Sequence, residues 1–269
     1  MRKHFQLLAS TALLAAAFGP QLRAAEFDHS SFDALLRAHV AAGMVDYDAF
    51  QASPAFPKYL GALAMADPAS LADEERLAYW INVYNAYTIQ LINEHAERKS
   101  IRNINKTLGI AAKGPWHEKL VKAGGSVYHL DNVEHDIIRR QWREPRIHFA
   151  LVCAAMGCPT LRSEAYTGAK LEQQLAEQAR AFLIETPEKN RVDAATGTVH
   201  GSLIYVKYYR EDFGSTDAAI GRYLAQFHAD GPEKRLLLSG RFKLVETPYD
   251  WTLNSQEQAK ALAAGTVKP

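Results

Sequence analysis

The stretch "LAYWINVYNAYTIQLIN", Leu77 to Asn93, contains no charged residue. Leu77, Trp80, Ile81, Tyr84, Thr88, Leu91 and Ile92 recur in it at the spacing of an α-helix. A surface helix carries charges on its outer face, so a helix without any is enclosed on most sides. The chain therefore has to be built around this helix. Ser70 or Asp73 is the expected cap, and Glu74 and Glu75 suit the positive end of the helix dipole. Asn82 and Asn85 lie three apart and share a face. A buried amide left without partners costs roughly 1–3 kcal/mol. Both asparagines must therefore bond to loops, buried water or a ligand, and a structural polar network that ties loops to the helix is the expected role.

The elements around this helix are mixed. "SSFDALLRAHV" and "FPKYLGALAMADP" read as two helices before it, the second closed by Pro68. Gly124-Gly125 between two alternating runs is a hairpin signal, followed by a helix capped by Asp131 or Asn132. "PRIHFALVC" reads as a buried strand. "TGAKLEQQLAEQARAFL" and "DAAIGRYLAQFH" read as amphipathic helices, "NRVDAATGTVHGS" as a hairpin, and "RFKLVETPYDWTLN" as a late strand and turn. Helices and locally paired strands occur without a regular βαβ alternation. The expected fold is α+β: a single domain with a buried central helix, surrounding helices and a small, mainly antiparallel sheet.

The first residues read as a leader. Arg2 and Lys3 precede an apolar run from Leu7 to Phe18, and small residues follow. That run is short of the roughly 20 residues needed to span a bilayer. A signal peptide over residues 1–24, cut near Ala24, is expected, with no transmembrane segment after cleavage. Cleavage after Ala25 fits less well because it places Arg23 three residues before the cut. The mature protein is expected to be exported, periplasmic or secreted. A formal net charge of +1 and the lack of a basic block exclude a nucleic-acid-binding surface.

The segments "YWINVYNAYTI", "LDNVEHDIIR", "PRIHFALVCAAMGCPTLRSEAYT" and "YYREDFG", in this order and spacing, resemble the family called domain of unknown function 547. The resemblance is concentrated between Leu77 and Phe182, with weaker matches as far as "YDWTLN". It implies a fold shared with exported bacterial proteins and plant proteins, and a shared site around the asparagine helix and the cysteine loop. It carries no biochemical activity to transfer. The organisation expected is an N-terminal helical segment over 25–69, a family core over 70–185, and a C-terminal extension over 186–269 packed on the same domain.

Cys153 and Cys158 are the only cysteines, and they have two readings. An oxidising compartment and a short spacer containing Gly157 favour a structural disulfide. Alternatively, Cys158 before Pro159 would open a helix, where the dipole activates a thiol. A nucleophile also needs a base. His117, His129, His135 and His148 are available, and His129 and His148 are the chosen candidates, the first oriented by Asp131. On a strand, His148 and Cys153 point to opposite faces, so His148 suits Cys158 better. Cys158 is thus the expected nucleophile of the thiol reading, with Cys153 as second choice.

"HLDNVEHD" lacks the HExxH spacing of a zinc helix, and no metal or cofactor is expected. No ATP loop, dinucleotide fingerprint or serine-hydrolase elbow occurs. Two function classes remain. The first is a disulfide-stapled domain that binds a small molecule, peptide or protein. The second is a thiol-dependent hydrolase or acyl transferase with a papain-like or transglutaminase-like Cys-His site.

Overall fold

The computed structural model of the chain describes residues 25–107, 110–111 and 114–266. The leader reading lies outside these residues. Among them, no helix is long and apolar enough to cross a membrane. Three helices open the fold: α1 (Ser30–His39), α2 (Tyr47–Ala52) and α3 (Ala55–Met65), with a short antiparallel pair, β1 (Val40–Ala41) and β2 (Met44–Val45), between the first two. Phe32, Leu35 and Leu36 form the inward stripe of α1.

The central helix is α4 (Asp73–Glu94). Every residue from Leu77 to Ile89 is buried, so elements surround it as its charge-free sequence requires. No side chain caps it: Ala72 occupies the N-cap. Ser70 is engaged with the Asp67 carbonyl (2.7 Å), and Asp73 accepts from the Trp142 indole (3.0 Å). Glu75 in the first turn is buried and accepts from the Gly168 amide (2.6 Å), which fastens a distant loop to the start of α4.

Two more antiparallel pairs follow, β3 (Lys106–Thr107) with β4 (Ile110–Ala111), and β5 (Val121–Ala123) with β6 (Ser126–Tyr128). Gly124 and Gly125 both take positive φ in the second of these turns. The helix expected after it is wound as a π-helix, Asn132–Ile138, continued by α5 (Arg139–Gln141). Its N-terminal residue Asp131 makes no side-chain cap.

The strand expected at "PRIHFALVC" is instead one helical turn, α6 (Ile147–Ala150). No neighbouring strand is there to pair with it. Its backbone groups bond within the turn, and side-chain amides of Asn85 and Gln178 take up the carbonyls of Ala150 (3.0 Å) and Phe149 (3.1 Å). Apolar, strand-favouring residues therefore suit burial here without a ladder. The chain then runs through the cysteine loop into α7 (Leu171–Ile184).

The remaining elements are β7 (Arg191–Asp193), β8 (Thr198–Gly201), a second π-helical turn over Ile204–Tyr208, α8 (Arg210–Phe213), α9 (Asp217–Ala225), α10 (Pro232–Ser239), β9 (Lys243–Glu246) and α11 (Gln256–Ala263). β8 pairs antiparallel with β7 and parallel with β9. The result is a single α+β domain whose pairing, among the described residues, is divided among four small sheets. Two apolar clusters fill it. One surrounds α4; the other gathers Phe149, Phe182, Ile204, Phe213, Ile220 and Leu237, and Tyr249 packs against both.

Candidate functional site

Asn82 and Asn85 are buried on one face of α4, and each clamps a loop from both sides. Asn82 donates to the Tyr166 carbonyl (2.7 Å) and accepts from the Tyr166 amide (3.0 Å). Asn85 donates to the Ala150 carbonyl and accepts from the Val152 amide, both at 3.0 Å. The second clamp sets the path of the chain into Cys153.

Cys153 and Cys158 form a disulfide with a Cα separation of 6.2 Å. Cys158 is buried and Cys153 half-buried. The loop between them turns through Ala154, whose φ is +59°. Gly157 is required by contact: a Cβ there would lie 2.9 Å from the Asp250 nitrogen and from the Tyr249 ring. Cys158 does not open a helix. Pro159 leads into an extended loop, and helical structure resumes only at Gly168. The expected dipole effect on Cys158 is therefore missing, because no helix starts there.

Both cysteines line a cavity of about 380 Å³. Tyr84, Trp116, Tyr208, Tyr209, Tyr249 and Trp251 supply aromatic walls. The Tyr249 hydroxyl is 3.2 Å from Cys153 Sγ and 3.1 Å from Cys158 Sγ. Burial pushes the Tyr249 phenol well above its ordinary pKa, so it remains protonated.

His148 also lines the cavity, within a group that the sequence reading did not assemble. Its Nε2 is 2.6 Å from Asp212 Oδ2, and its ring stacks on Tyr209 at 3.9 Å. Its Nδ1 has Glu134 Oε1 at 3.7 Å, longer than a hydrogen bond. Arg139 grips Asp212 with two bonds, Nε to Oδ2 (2.7 Å) and Nη2 to Oδ1 (2.8 Å). Burial would raise the pKa of Asp212, yet the bonds from His148 and Arg139 hold it well below the usual carboxylate range. Glu134 is likewise buried and still lowered, through its interaction with His148. The π-helical turn over Asn132–Ile138 aims Glu134 and His135 into the cavity and Arg139 at Asp212. Wider turns of this kind often mark functional sites.

The two histidines proposed as bases have different fates. Both ring nitrogens of His148 face carboxylates rather than a sulfur. His129 is not part of the cavity lining; its Nδ1 accepts from the Asn132 amide (3.1 Å), and its ring lies against His117. Asp131, expected to orient His129, pairs with His117 at 3.0 Å. The arrangement thus contains no thiol–imidazole contact among the described residues.

Residues 68–183 match the family described as Protein of unknown function, DUF547. The chain carries a DUF547 domain. No curated protein and no solved structure matches the chain. The DUF547 domain contributes α4, both cysteines, Glu134 and His148. Tyr208, Tyr209, Asp212, Tyr249 and Trp251 come from beyond it. The cavity therefore lies where the DUF547 domain meets the later part of the chain.

Proposed function

We propose that the protein is an exported ligand-binding domain whose site is the aromatic cavity walled by the Cys153–Cys158 disulfide. The observation that carries this reading is the cavity itself: six aromatic side chains around a buried imidazole and carboxylates, in a volume of about 380 Å³. That size and composition suit a small molecule or one to two side chains of a peptide or protein partner. Aromatic rings offer large apolar contact at little entropic cost, and the His148–Asp212 pair offers a fixed polar end. Export is supported by the leader-like residues 1–24 and by the disulfide, which persists in oxidising compartments.

The binding test uses the neutral apolar dye N-phenyl-1-naphthylamine with the oxidised protein. Saturable uptake should be accompanied by energy transfer from Trp116 and Trp251. In the Trp116→Phe/Trp251→Phe variant, transfer should fall to what Trp80 and Trp142 provide. No saturable uptake, or transfer unchanged by the double substitution, would remove the cavity as the site. For export, intact mass from the native host should show a chain starting at Ala25. A full-length cytoplasmic species as the main form would overturn that part.

A further inference from the structure

A disulfide closing so small a loop is a poor staple, because it removes little freedom from the unfolded chain. The loop is also held by other means. The Met156 amide bonds to the Thr252 carbonyl and the Gly157 amide to the Asp250 carbonyl, both at 2.8 Å, and Ala155 bridges to Leu253. Asn85 holds the approach at Val152, and Lys189 Nζ donates to the Cys158 carbonyl at 2.7 Å. With the disulfide opened, these contacts would keep both sulfurs in place. The disulfide is thus structurally redundant and yet faces the cavity.

The polar groups around it are unequal. The Tyr249 hydroxyl stands within 3.2 Å of both sulfurs, but Cys158 Sγ alone also receives the Cys153 amide, at 3.2 Å. A donor on the sulfur stabilises a thiolate and makes that sulfur the better leaving group. Cys153 is the more exposed of the two cysteines.

We propose that the disulfide is a thiol-exchange site: a thiol-bearing ligand in the cavity attacks Cys153 and displaces Cys158. This deepens the cavity reading and rests on it. In the step, the ligand thiolate forms an S–S bond to Cys153 Sγ. The Cys153–Cys158 bond breaks, and its electron pair goes to Cys158 Sγ, which leaves as a thiolate held by Tyr249 and the Cys153 amide. The product is a mixed disulfide on Cys153. A second thiolate attacking that bond releases the ligand as its own disulfide and leaves a dithiol, so the co-reactant thiol supplies both electrons. The chain has no third cysteine to divert the exchange.

Reduced glutathione is the probe, added at neutral pH to the mature oxidised protein, with a maleimide quench and mass mapping. The native bond should open at least as fast as in the urea-unfolded chain, with glutathione on Cys153 and maleimide on Cys158. Tyr249→Phe, which keeps the ring and the disulfide, should slow opening on the order of tenfold by removing one bond to the developing charge. A native bond that resists glutathione until the chain is unfolded would overturn the inference. So would an adduct on Cys158, or an unchanged rate in Tyr249→Phe. Dye uptake by the oxidised protein is read separately. Uptake with an inert bond sinks the exchange site and leaves the cavity standing; an open bond without uptake removes the cavity as the site, and with it the proposal that a ligand held there attacks Cys153.

Discussion

Replacing Asn85 with leucine tests the claim that α4 organises the site through its amides. In the native protein, this side chain satisfies the Ala150 carbonyl and the Val152 amide, each at 3.0 Å, inside the core. Leucine is close in size but offers neither bond. Two buried backbone groups would then lack partners, at roughly 1–3 kcal/mol each. Part of this is returned by the better burial of leucine, about 1 kcal/mol. The net loss expected is about 3 kcal/mol. For a chain of this length, 1 kcal/mol corresponds to about 2–4 °C in Tm, so the midpoint should fall by roughly 6–12 °C. Gln90→Leu on the same helix is the control. Gln90 is only half-buried and bonds to Glu94, so its loss should stay within about 0.5 kcal/mol. Thermal unfolding followed by circular dichroism reads both. If Asn85→Leu melts within a degree or so of wild type while Gln90→Leu behaves as stated, the clamp does not hold the loop.

Two further outcomes follow from the electrostatics. His29 is buried, and burial lowers its pKa from 6.5 to about 4. The unfolded chain therefore takes up a proton that the folded one refuses, and stability present above pH 6.5 should be lost progressively as pH falls towards about 4, by as much as about 3 kcal/mol. Urea midpoints between pH 7 and 4 check this; His29→Gln should lose most of the slope, and a flat wild-type profile would contradict it. His228, also lowered by burial, adds in the same direction. Asp212→Asn removes the charge shared by Arg139 and His148 and should cost roughly 2–3 kcal/mol. Combined with Arg139→Gln, the loss in urea unfolding should be smaller than the sum of the two; simple additivity would mean that the pair is not coupled.

Local patterns were the legible part of this chain. The charge-free run told that α4 is enclosed, the apolar spacing found α1, α7 and α9, and the glycine pair found the β5–β6 turn. The pairing of Cys153 with Cys158 followed from their spacing and from the expectation of export. What failed was whatever depends on partners distant in sequence. "IHFALVC" has strand composition, but the amides of Asn85 and Gln178 satisfy its backbone in place of a ladder. Asp131 and His129 are near neighbours in sequence, yet His117 takes the carboxylate. Asp212 meets His148 across 64 residues, and no local rule connects them. The motif "YYREDFG" was the one available hint, since it holds both Tyr209 and Asp212. The π-helical winding that aims Glu134 and Arg139 also leaves no mark in apolar periodicity.

The position of the cavity has a consequence for how such a site diversifies. Its floor, with His148, Glu134 and the disulfide, belongs to the DUF547 stretch, while Tyr208, Tyr209, Tyr249 and Trp251 are contributed by residues after it. The two contributions are joined, since Asp212 bonds to His148 and Arg139, and the Tyr249 hydroxyl meets both sulfurs. A chain that rewrites the later run retains the same centre under a different mould only if it keeps Asp212 and Tyr249. The DUF547 stretch thus holds one part of the site, and the rest of its lining is written in the sequence that follows.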